Sequence, residues 1–205
     1  MSETSGAVNI LVLVSGGGTN LEALINAEKA KTFNGKISLV ISDRDGVYAL
    51  KRAGLAGIPA IVEKPNPDLP KPERRLDLSN RLLRHCREKN IGLIVHAGFL
   101  SILAGDIVKE YSGRMINIHP SLLPKYGGQG MYGENVHRAV LAAGEAESGC
   151  TVHYVSAGID EGPIILQRKV PVLPGDTAAS LAERIRKEEH ITLVEAVQQV
   201  VSVKM

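Results

Sequence analysis

Short runs of adjacent apolar, often β-branched residues alternate along the chain with longer stretches in which leucine or isoleucine returns every three or four positions. The first pattern reads as buried strands and the second as amphipathic helices. Their alternation predicts an α/β fold, a mostly parallel open sheet flanked by helices. Strands are expected over Val8–Val14, Ile37–Ile41, Ala60–Val62, Leu93–Ala97, Met115–Ile118, Cys150–Val155 and Ile164–Val172. Helices are expected over Asn20–Lys31, with Leu21, Leu24 and Ile25 on one side, and over Tyr48–Leu55. Two more are expected over Pro72–Lys89, with Leu76, Leu82 and Leu83 inward, and over Ala178–Val201. The four prolines between positions 64 and 72 make that segment a loop. There is no internal repeat or low-complexity tract, so residues 1–205 are expected to form one domain.

Composition narrows the function classes. With 24 basic and 22 acidic residues the chain has no basic footprint for nucleic acid, and 3% aromatics without Trp make a poor base-stacking surface. No apolar run approaches the ~20 residues of a membrane span. The first run, Val8–Val14, lacks the basic start and length of a signal peptide. Cys86 and Cys150 have no CxxC partner, which suits a reducing cytoplasm rather than a disulfide scaffold. His119, His137 and His153 are not at metal-ligand spacing, and no metal is expected.

Ser15-Gly-Gly-Gly-Thr-Asn20 joins the first strand to the first helix. Such a junction aims free backbone N–H groups and the positive helix end at one point, a natural anion site. Leu21 stands where a dinucleotide fingerprint needs its third Gly, and the Walker lysine is missing. From this segment alone, phosphate binding and a ligand-free tight turn weigh equally.

In Met115-Ile-Asn-Ile-His-Pro-Ser-Leu-Leu-Pro-Lys125, Asn117 and His119 are two apart on a strand and share a face. Pro120 ends the ladder, so both fall at the strand's carboxyl end, where open α/β sheets hold ligands. An amide donor beside an imidazole can stabilise an oxyanion and shuttle a proton. Asp160, in Ile159-Asp-Glu-Gly-Pro163, is a carboxylate that could orient the imidazole. A structural histidine and a turn aspartate are the plainer readings of the same residues. No GxSxG elbow or Cys-His nucleophile is present.

Taken together, Ser-Gly-Gly-Gly-Thr-Asn-Leu at 15–21, His-Ala-Gly-Phe-Leu-Ser-Ile-Leu at 96–103, Asn-Ile-His-Pro-Ser-Leu-Leu-Pro-Lys at 117–125 and Ile-Asp-Glu-Gly-Pro at 159–163 resemble the phosphoribosylglycinamide formyltransferases. These are folate-dependent enzymes of purine biosynthesis, and the resemblance runs from about Val8 to Val201. It implies a formyltransferase fold with a Rossmann-like N-terminal half (residues 8–112) for phosphate and a catalytic, folate-binding half (residues 113–203). It implies transfer of a formyl group from 10-formyltetrahydrofolate to glycinamide ribonucleotide in the cytoplasm. The catalytic trio would be Asn117, His119 and Asp160. For that chemistry we expect Asn117 and a protonated His119 to hold the oxyanion, with Asp160 keeping His119 charged. Gly18, Thr19, Asn20 and Arg75 would hold the substrate phosphate, and Glu189 its ribose. Leu100, Ser101, Ile102, Leu103, Asn117, Val155, Ile159 and Asp160 would meet the folate, and a homodimer is allowed. Two departures stand out. The glycine-rich loop from Tyr126 to His137 is longer than the common family pattern, a candidate lid, and Ser101 replaces a frequent basic residue.

Three alternatives remain. Methionyl-tRNA formyltransferase carries a further C-terminal domain, and formyltetrahydrofolate hydrolase a further N-terminal one. The early first strand and late last helix favour neither. A non-catalytic nucleotide-binding module would use Asp43, placed like the ribose-binding acid of a dinucleotide fold.

Overall fold

The computed structural model describes residues 6–203. Strand β1 (Val8–Val14) leads through the glycine turn to helix α1 (Thr19–Lys29), followed by β2 (Gly35–Ser42), α2 (Tyr48–Leu55) and β3 (Ala60–Val62). Helix α3 (Lys71–Glu88), β4 (Leu93–His96), α4 (Asp106–Glu110) and β5 (Met115–His119) complete the first part. Then come α5 (Glu134–Ala142), β6 (Glu147–Tyr154), β7 (Ile164–Pro171) and α6 (Ala178–Ser202). The seven strands form one sheet in the order β3-β2-β1-β4-β5-β6-β7. The first five are parallel, and β6 and β7 are antiparallel additions.

Helices cover both faces of the sheet, so β1 can be apolar at nearly every position. Ile10, Val12 and Val14 pack with Leu21 and Leu24 of α1 and Leu193 and Val197 of α6. Leu11 and Leu13, facing the other way, pack with Leu78 and Leu82 of α3 and Ile107 of α4. Cys86 and Cys150 are buried and unpaired, and burial pushes their thiols up to about 12 and about 11. Among the described residues, no helix is long and apolar enough to cross a membrane.

Three expectations need correction. Leu76 is 44% exposed, not inward. The buried stripe of α3 starts at Leu78, while Leu76 abuts Gly105, where an added Cβ would come within 2.9 Å of Leu76 Cδ2. Helix α4 falls in a segment for which no element is expected, and α5 takes Glu134 to His137 out of the loop expected from Tyr126 to His137. The first helix ends at Lys29 rather than Lys31, because Lys31 adopts a left-handed φ of 55°.

The topology positions the site. From β1 the chain winds outward through β2 and β3, then returns to place β4 on the other side of β1. The carboxyl ends of β1 and β4 therefore diverge around a crevice, the switch point where open α/β sheets receive ligands.

Candidate active site

A cavity of about 940 Å³ opens at this switch point. The glycine turn walls one end. Gly18 N-caps α1 with φ 74° and provides no side-chain cap for the first-turn N–H groups, which face the turn as helix N-termini do. A side chain at Gly18 would collide with Ala49, its Cβ falling 2.6 Å from that methyl. Thr19 and Asn20 share this wall, and Asn20 Nδ2 donates to Glu189 Oε2 of α6 at 3.2 Å. Burial raises the Glu189 carboxyl above its ordinary range, against the lowering effect of the Asn20 bond.

Helix α6 turns one narrow stripe to the cavity: Ala179, Ala182, Glu183, Arg186 and Glu189. Two alanines leave room there, and Arg186 adds a cation to the cavity lining. Arg75 does not line the cavity; it sits near the start of α3, just after the proline loop. No motif in the sequence marks Arg186; the signal that could have found it is the three-residue step to Glu189, which puts both on one helical face.

At the other end, one row across the sheet aligns three polar side chains. His96 on β4 pairs with Asn117 on β5, which pairs with His153 on β6. Paired positions project to the same face, so the parallel-to-antiparallel junction concentrates these groups beside the cavity. His153 Nδ1 donates to the Tyr154 carbonyl at 2.9 Å, leaving Nε2 to accept from Asn117 Nδ2 at 3.1 Å. The other Asn117 N–H bond remains for a ligand oxygen. His153 and His96 were not assigned to the site from sequence. The alternation Thr151-Val-His153 on β6 is the signal that could have placed His153 beside Asn117.

His119 ends β5. Its Nε2 donates to the Tyr126 carbonyl at 2.8 Å, and its Nδ1 lies 3.5 Å from Asp160 Oδ2. Tyr126 is itself anchored through its hydroxyl, which donates to Glu145 at 2.9 Å. Burial lowers the His119 pKa, and the nearby Asp160 charge and the Tyr126 carbonyl only partly restore it. That direction favours neutral His119 in the free protein near neutral pH. Asp160 adopts φ 60°, and its Oδ2 accepts from Gly128 N at 3.0 Å. Burial acts to raise its pKa, but the His153 contact, the electrostatic influence of His119 when protonated and the Gly128 N–H together hold it below the ordinary value.

The remaining predicted residues fall into two groups. Leu100, Ser101, Ile102, Leu103, Val155 and Ile159 all line the cavity. Ser101 Oγ donates to Asp43 Oδ2 at 2.7 Å, engaging one oxygen of the carboxylate that a nucleotide-binding module would turn to a ribose. Asp43 itself is not part of the cavity lining. Gly128, Met131, Tyr132 and His137 close the side formed by the glycine-rich loop and the first turn of α5. The turn after β5 is tied down behind the site. Thr151 Oγ1 donates to the Ser121 carbonyl at 2.6 Å, and Gln167 Nε2 donates to the Leu123 carbonyl at 2.9 Å.

Comparison with known proteins gives one family. Residues 8–197 match the model of the family described as formyl transferase. The chain is 38% identical over 183 residues to phosphoribosylglycinamide formyltransferase of Escherichia coli (strain K12), covering 89% of this chain and 82% of that protein. It is 44% identical over 195 residues to the trifunctional purine biosynthetic protein adenosine-3 of Gallus gallus. That match covers 95% of this chain but 18% of the longer relative. Among solved structures it is similar to glycinamide ribonucleotide transformylase 1 from Symbiobacterium toebii. The TM-score is 0.87 at 38% identity, over 96% of this chain and 88% of that one.

Proposed function

The chain belongs to the formyl transferase family, and we propose that it carries a formyl group from 10-formyltetrahydrofolate to the amine of glycinamide ribonucleotide, releasing tetrahydrofolate, in purine biosynthesis. One observation carries this reading. A single cavity has an anion-suited glycine turn at one end and an amide, an imidazole and a carboxylate at the other. That is what a phosphorylated amine and a carbonyl donor need when they must meet.

In this reading Gly18, Thr19 and Asn20 bind the phosphate, with Arg186 supplying the opposing cation. Glu189 takes the ribose. The folate lies along Leu100–Leu103 and beside Val155 and Ile159. The N-terminal half, about 8–112, thus supplies the phosphate-binding glycine turn, and the C-terminal half, about 113–203, the catalytic residues together with Arg186 and Glu189.

The substrate amine is its own nucleophile, so the protein must position, stabilise an oxyanion and move a proton. The free Asn117 N–H is placed to donate to the oxygen that becomes negative. Neutral His119 takes up a proton as the amine adds, and the Asp160 charge 3.5 Å away stabilises the imidazolium that results. The proton then passes to the departing nitrogen as the intermediate collapses.

The test is incubation with 10-formyltetrahydrofolate, with and without glycinamide ribonucleotide, following loss of the formyl donor. Loss that requires the amine is expected. Loss without it would indicate a hydrolase, and NAD binding with no transfer a nucleotide-binding module.

A further inference from the structure

The glycine turn owes its shape to α2, the helix beside it. Ala49 N, in the first turn of α2, donates to the Gly16 carbonyl at 3.1 Å. One turn later, Arg52 Nε donates to the Gly17 carbonyl at 2.9 Å. Two successive carbonyls are thus drawn toward the same helix. In a trans peptide the N–H points opposite to its C=O, so the N–H groups of Gly17 and Gly18 face away from α2. Among the described residues, neither N–H donates to a protein backbone acceptor outside regular structure, and Gly17 and Gly18 both line the cavity. Consecutive amides held this way form an anion-binding concavity.

Arg52 is held as firmly as the carbonyl it grips. Its Nη1 forms an ion pair with Glu22 of α1, and its guanidinium lies 4.8 Å from the Tyr48 ring centre. The side chain is only 20% exposed and is not part of the cavity lining. Its charge is answered by Glu22, so its contribution to an anion in the cavity is geometric. A flexible triple-glycine segment without this tie would rotate its peptides freely.

We propose that Arg52 is a positioning residue for phosphate recognition, acting through the Gly17 carbonyl to aim the Gly18 N–H into the cavity. This rests on the phosphate reading of the turn given above. A merely structural Arg52, tying α1 to α2, would affect stability and every kinetic constant together. A positioning Arg52 affects only steps that involve the phosphate.

The experiment compares Arg52→Met, Arg52→Lys and Glu22→Gln with the unmodified protein. It reads kcat, KM for each substrate, and competitive inhibition by inorganic phosphate against glycinamide ribonucleotide. Loss of one charge-assisted hydrogen bond predicts a rise of roughly tenfold in KM for the ribonucleotide and in the phosphate inhibition constant for Arg52→Met. Its kcat and its KM for the folate should stay within about twofold. Glu22→Gln leaves the Gly17 bond intact and should change neither phosphate-linked constant by more than about twofold. Arg52→Lys has one nitrogen where Arg52 uses two to reach two separate acceptors, so a rise of about threefold is expected; it decides the matter if Arg52→Met does not fold. Unchanged constants in folded Arg52 variants, or an equal effect from Glu22→Gln, would overturn the proposal. Failure of phosphate to compete in the unmodified protein would instead remove the phosphate reading, and this proposal with it.

Discussion

At His119, burial and a neighbouring carboxylate act in opposite directions, and burial wins. Asp160→Asn removes the charge that partly offsets desolvation, so the His119 pKa should fall further, as followed by NMR titration of the imidazole. Turnover should drop by roughly a hundredfold or more, because the imidazolium formed during reaction loses its counter-charge. An unshifted imidazole would mean the 3.5 Å approach to Asp160 has no electrostatic consequence. His96 gives a prediction about stability instead. Buried and edge-on to Phe99, it titrates at about 3 when folded, against an ordinary 6.5. Between those values the unfolded chain binds the proton and the folded chain does not, so stability falls as pH falls. The slope from this residue is about 1.4 kcal/mol per pH unit. His96→Leu should flatten the acid limb of unfolding free energy measured by urea denaturation. His119, His137 and His190 are shifted in the same direction and will leave part of the slope.

Elements were legible from sequence where burial imposes a period. The run Val8–Val14 could only be a strand covered on both faces, and α6 has the apolar repeat of a long packed helix. Helix α4 has five residues, too few for a period to register, and α5 starts directly after Gly133 in a glycine-rich stretch. The ends of α6 obey local chemistry. Thr177 Oγ1 accepts from Ser180 N at 3.2 Å while Ser180 Oγ accepts from Thr177 N at 3.0 Å, a reciprocal cap. Thr177→Ala should therefore lower unfolding free energy by about 1 kcal/mol in denaturant titrations, with kcat unchanged. The loop carrying Asp160 behaves differently. A side chain at Gly162 would put its Cβ 1.7 Å from the Tyr154 carbonyl, so Gly162→Ala must push the loop off β6. Its expected signature is a large loss of turnover with helix content by circular dichroism unchanged. Full activity in that variant would mean Asp160 does not need its observed position.

Across the whole molecule, the site joins parts of the chain that sequence separates widely. Asn117 and His119 could be paired from their spacing alone, whereas the meeting of Asn20 with Glu189, 169 positions apart, depends on α6 returning across α1. Arg75 and Arg186 mark the same boundary. Which arginine reaches the cavity is decided by how α3 and α6 pack, and no local pattern encodes that. The consequence is testable because a ligand that bridges the two halves must stabilise both. Glycinamide ribonucleotide, held between the glycine turn after β1 and the Arg186–Glu189 face of α6, should slow amide hydrogen exchange in both regions. By mass action it should also add about 2.7 kcal/mol of stability at a hundred times its dissociation constant. Protection confined to residues near the glycine turn would mean α6 contributes no contact. The assignments of Arg186 and Glu189 would then fail, even with formyl transfer intact.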